Sequence, residues 1–244
     1  MPKNTNSASR LVNLLSNIPG HPDNTQTLEV WANVFAIEEP NPNKKSAAVA
    51  ELLNAMYREL EVIRKQMAAG DFSESLFAPS MMRMEHALSS LLLPGAWVQA
   101  RQHLTAETLL ALAFCGEILP DEESVIEPSE IAEIKFQVDE LQALLTQSTL
   151  PIRLRVLVEH HIALIRRALA EYPIVGAKAL REAAHTAYGE LAEAQDAVTA
   201  NKDAPEISKL GSVWKKVNDA TDLALKAEKL SQLAHKIWDV LGNI

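Results

Sequence analysis

The segment RLRVLVEHHIALIRR, residues 153–167, gathers the side chains best suited to proton transfer and anion contact. Histidine titrates nearest neutrality, so it can give or take a proton there. Arginine offers a planar set of donors to phosphate or carboxylate. On a helix, His161 falls in the apolar stripe of Leu154, Leu157, Leu164, Ile165 and Ala168. His160 lies off that stripe on the flank of Arg153 and Arg167, and Arg155, Glu159 and Arg166 take the outer side. Two readings follow. One is a core histidine with a hydrogen-bond partner, beside a solvated face of local ion pairs. The other is an acid–base site built from Arg155 and His160.

A second constellation is Glu190, Glu193 and Asp196, spaced ExxExxD. Carboxylates at three-residue steps can share a helix side and hold magnesium, as in helical nucleotide pyrophosphohydrolases. That chemistry needs a second acidic pair on a facing helix, for which Glu130 and Glu133 are the candidates. The plainer reading is a solvated acidic face, and the expectation is no metal and no cofactor. The third set is Trp31, Trp97, Trp214 and Trp238. Trp31 and Trp238 align with apolar faces and read as core. Trp214, beside Lys215 and Lys216, reads as an exposed interaction anchor, since tryptophan is favoured at interfaces.

Several chemistries are excluded by their missing spacings. The chain contains no GxSxG, no GxxxxGK[ST] and no HExxH. Its one cysteine, Cys115, rules out an internal disulfide and a zinc site of cysteines, and its setting in LLALAFC reads as a buried thiol. A formal net charge of −9 disfavours general nucleic-acid binding. Lysines between Lys202 and Lys236 alternate with acidic residues and read as a solvated face. The polar start MPKNTNSAS lacks the apolar core of a signal peptide, and Leu104–Leu119 is too short to span a bilayer. The expectation is a cytoplasmic protein without membrane contact.

The elements that must position these residues are helices. The 244 residues include 35 Ala and 33 Leu against 15 Val and 14 Ile, and only 8 Gly. Ala and Leu lose little on entering a helix, whereas Val and Ile suit strands. Residues 1–9 are expected to be disordered. Helices are expected over Ser9–Asn17, from Asn24 or Thr25 to Phe35, over Lys45–Ala69 and over Ser80–Leu93. Leu104–Leu119, apolar nearly all round, is expected to be the buried centre of an N-terminal part covering 10–120. The second part, 128–244, carries apolar residues at steps of three and four. The seams run from Ile131 to Leu145, from Leu154 to Ala168, through Ala177, Leu180, Ala184, Ala187, Leu191, Ala194 and Val198, and from Ala220 to Leu241. Such seams align helices. They predict an all-α multi-helix bundle with a long antiparallel hairpin, 175–198 against 213–242, packed on Ala/Leu seams. Thr199–Ser212 reads as its connection. One continuous domain fits the pattern as well as two parts.

Two resemblances add to this reading. The spacing from Arg155 to His160 resembles the Arg-x4-6-His motif of HEPN-type ribonucleases, an all-helical and usually dimeric superfamily. It implies metal-independent action of Arg155 and His160 on RNA, although Val156 stands where that family commonly has a polar residue. The segment from Leu150 to Leu191 resembles a helix–turn–helix stretch of uncharacterised bacterial proteins, some from mobile-element or defence-associated gene sets. It implies a turn at Tyr172, Ile174 and Gly176 and brings no activity. The functional expectation is a non-enzymatic helical interaction protein, an accessory or immunity-type component that binds a protein partner or itself. The alternative is the metal-independent ribonuclease.

Overall fold

The computed structural model describes residues 5–70 and 72–225. Among them are eleven α-helices and no β-strand, so the chain is an all-α multi-helix bundle. The described residues divide into two compact units, one up to residue 122 together with 173–176, and one of 123–172 with the described residues from 177 on.

The first unit contains α1 (Ser7–Ser16), α2 (Thr27–Val34), α3 (Pro42–Ala69), α4 (Ala78–Ala87), α5 (Val98–Arg101) and α6 (Ala106–Ile118). The central helix is α3, which buries Val49, Leu52, Met56, Leu60, Ile63 and Met67 along the stripe its spacing predicts. Asn41 caps it and Pro42 opens its first turn, where a missing N–H costs nothing. Around it, α1 packs on α3 and α6, α2 on α3, and α4 on α3 and α6. Trp31 and Trp97 meet edge to face inside this unit, with ring centres 5.8 Å apart.

Three expectations are corrected here. Residues 6–9, expected to be disordered, are the buried start of α1. Asn6 and Ser9 form a reciprocal capping box, and Asn6 Nδ2 donates to the carbonyls of Gly116 and Leu119 at 3.0 and 2.9 Å. One asparagine thus satisfies orphan groups at the start of α1 and the end of α6. Second, α6 is not buried all round: Leu112 and Cys115 are buried, but Leu110 and Phe114 face solvent. Apolar composition allows burial on any side, and α6 packs mainly on α1 and α4. Third, the helix expected over Ser80–Leu93 ends at Ala87 and is followed by a short 3-10 turn, Ser90–Leu92, that leaves Leu91 exposed.

The second unit holds α7 (Pro128–Leu145), α8 (Ile152–Val175), α9 (Ala177–Glu193), α10 (Gln195–Ala200) and α11 (Pro205–Leu225), with the last residues of α8 counted in the first unit. Gly176 joins α8 to α9 at φ 81°, a left-handed value that other residues adopt at a cost. Of the expected seam, Ala177, Leu180, Ala184, Ala187 and Leu191 are buried on α9, but the helix breaks at Ala194 and Val198 is buried on α10 instead. On its other side the chain departs from expectation. The stretch expected as a loop, Thr199–Ser212, contains the end of α10 and the first eight residues of α11, so the link is only Asn201–Ala204. The α11 seam runs Ile207, Leu210, Trp214, Val217, Thr221 and Ala224, all buried. Of the expected seam, Ala220 is buried, but the stripe then runs through Thr221 and Ala224, which leaves Leu223 exposed. The rest of that expected seam, and Trp238, lie outside the described residues.

Candidate functional site

Four polar side chains of the second unit form a line from its core to its surface. Trp214 of α11 and His161 of α8 are fully buried. The Trp214 Nε1–H donates to His161 Nδ1 at 3.0 Å, with the rings edge to face. An indole N–H can only donate, so Nδ1 must carry the lone pair and the neutral ring holds its proton on Nε2. That nitrogen lies 3.1 Å from Oε2 of Glu190 on α9, close but without hydrogen-bond alignment. The other carboxylate oxygen, Oε1, lies 3.1 Å from Nε2 of His160, whose ring is half exposed. A single carboxylate therefore meets two neighbouring histidines of α8, one buried and one at the surface.

Burial sets the protonation of this line. Desolvation disfavours the charged imidazolium and pulls His161 down to about 4, against the opposing pull of the Glu190 carboxylate. At neutral pH the buried ring is uncharged, which suits its role as acceptor for the indole.

The predicted site residues are placed as follows. His161 is the core histidine of the first reading, and its partner is Trp214. Trp214 is not an exposed anchor: the seam register points it inward, and its neighbours Lys215 and Lys216 occupy the outer side. The 3–4 spacing through Ile207, Leu210 and Val217 was the available signal, and Gly211 masked it. Arg155 and His160 are held by different carboxylates. Arg155 Nε donates to Glu159 at 3.2 Å, one turn along, while His160 turns to Glu190. Five residues on a helix separate the two side chains by most of half a turn, and the ion pairs follow that separation. Glu190 is the member that sequence reasoning placed in another role, because only the packing of α9 on α8 brings it to the histidines.

The acidic constellation comes apart. The helix breaks at Ala194, so Glu193 ends α9 and Asp196 falls in the first turn of α10. The nominated facing pair is engaged elsewhere: Glu130 binds Lys216 at 2.7 Å and Glu133 accepts from Gln137 at 2.8 Å. Among the described residues, no three His, Cys, Asp or Glu side chains are grouped to hold a metal ion. Cys115 is buried, and burial pushes its thiol up to about 11, away from nucleophilic use near neutrality. No helix of the described residues is long and apolar enough to cross a membrane.

Comparison with known proteins finds no matching family model, no matching curated protein and no matching solved structure.

Proposed function

We propose that the chain is a helical protein-interaction component without catalytic chemistry of its own, of the accessory or immunity type found at bacterial defence or mobile-element loci. One observation supports this reading above others: large apolar side chains stand exposed in pairs one turn apart. On α6 these are Leu110 and Phe114, 71% and 46% exposed; on α8 they are Ile152 and Val156, 72% and 55% exposed. Residues four apart share a helix face, and an i,i+4 apolar pair is a common helical contact unit. Glu107 and Glu117 flank the first pair, and Arg153 and Arg155 flank the second, which resembles the charged rim of an interface. The Ala/Leu seam of α9 is not the proposed docking face, because the second unit buries it itself. The occupant is a protein partner or a second copy. The full chain, cross-linked in the cells that make it, is expected to yield one dominant cross-linked partner or a self-cross-link at α6 or α8. A monomer in solution with only diffuse, low-yield cross-links contradicts the proposal.

A second reading, the metal-independent ribonuclease, draws support from His160. Glu190 binds its Nε2, as a carboxylate does when it orients a catalytic imidazole, and leaves Nδ1 as the lone-pair nitrogen. Arg155 would first have to leave Glu159. Cleavage of RNA in the presence of a chelator, abolished by His160→Ala, is the outcome that favours this reading over the first. RNA left intact removes it.

A further inference from the structure

The indole of Trp214 has its partner only while His161 is neutral. Nδ1 has one lone pair, and the indole N–H occupies it at 3.0 Å. A proton added to that nitrogen would set two N–H groups head to head. Both residues are fully buried, so bulk solvent does not reach either one. An unpaired donor in such a place is costly, and a buried imidazolium more so. The charged groups acting on His161 come from two helices. Glu190 of α9 favours the charged ring, and His160 of α8, which shares that carboxylate, opposes it. From α11 the ring meets the uncharged indole.

We propose that the Trp214–His161 hydrogen bond is an acid-operated latch in the second unit: protonation of His161 at Nδ1 expels the indole and releases the middle of α11 from α8. The position of Trp214 makes the release consequential. It is the bulkiest member of the α11 seam, with Leu210 and Val217 on either side, so the seam cannot stay closed around a displaced indole. The sign follows from the two states. Unfolded, His161 takes up its proton near the ordinary histidine value of 6.5; folded, it resists until about 4. The contribution of the closed latch is therefore complete above the ordinary value and is lost progressively as pH falls toward about 4.

The test is an NMR titration of the full chain from neutrality into acid, following the His161 ring protons and the Trp214 indole N–H. Trp214→Phe assigns the indole signal. The expected result is that His161 titrates well below the other imidazoles, with a midpoint of about 4, and that the indole resonance moves or vanishes with the same midpoint. His161→Asn places an amide oxygen near the Nδ1 position, an acceptor that cannot be protonated in this range. It is expected to keep the Trp214 signal at a pH where the natural chain has lost it. The proposal is overturned if the indole signal is unchanged while His161 titrates, or if His161→Asn releases Trp214 at the same pH as the natural chain. Should that variant fail to fold at neutrality, the titration of the natural chain decides alone.

Discussion

At the scale of the residue, His161 and His160 show how one helix position separates two kinds of histidine. The first points into the bundle, loses its charge to burial and accepts from Trp214. The second stands at the surface and meets the same carboxylate from outside. Substituting Trp214 measures how far the inner pair matters. Trp214→Phe removes the only donor to Nδ1 and leaves space beside the ring. It is expected to cost about 2–4 kcal/mol in urea unfolding, combining a cavity with a lost hydrogen bond. An exposed anchor residue would change stability by less than about 0.5 kcal/mol. The same experiment thus separates the buried tryptophan seen here from the exposed one its lysine neighbours suggest.

At the scale of the element, the regular helices were legible and their limits less so. The stripe of α3 and the seam of α9 were readable because each face is apolar at helical steps and each finds partners along its length. The start of α11 was obscured by Gly211, a residue of poor helix propensity that reads as a loop. Helix α6 is hard to read for the opposite reason: its sequence is apolar nearly all round, and only Glu107 and Glu117 mark the face that is solvated. The expected disorder of residues 6–9 failed because a polar stretch can be ordered by caps, and Asn6 binds two carbonyls 110 or more residues away. The candidate site was half legible. The inward turn of His161 could be read from its stripe, but its contact with Glu190 depends on tertiary packing and left no local signal. Gly211 offers a test at this scale. A Cβ there would meet nothing within 4 Å, and the position lies inside a helix. Gly211→Ala is expected to raise stability by about 0.5–1 kcal/mol, since alanine loses less entropy on entering a helix. A fall in the unfolding midpoint would show that the α11 backbone needs glycine there.

At the scale of the whole molecule, the exposed apolar pairs Leu110 with Phe114 and Ile152 with Val156 stand among charged side chains. The acidic balance of the chain, −9, suits a protein contact better than a nucleic-acid one. Glu130, a candidate for the facing acidic pair, instead ties α7 to α11 through Lys216, as Glu140 does through Lys209. Under the proposed reading, His160 and Glu190 serve the framework of the second unit, and Leu110 with Phe114, or Ile152 with Val156, carry the function. Comparative cross-linking in the producing cells tests that division most directly, using the natural chain, Leu110→Glu/Phe114→Glu, Ile152→Glu/Val156→Glu and His160→Ala. The expected result is that one of the paired apolar variants loses the dominant cross-linked partner while its thermal midpoint is unchanged, and that His160→Ala keeps it. Retention of the partner by both paired variants, with loss of biological effect in His160→Ala alone, would contradict the account and place the function at the histidine.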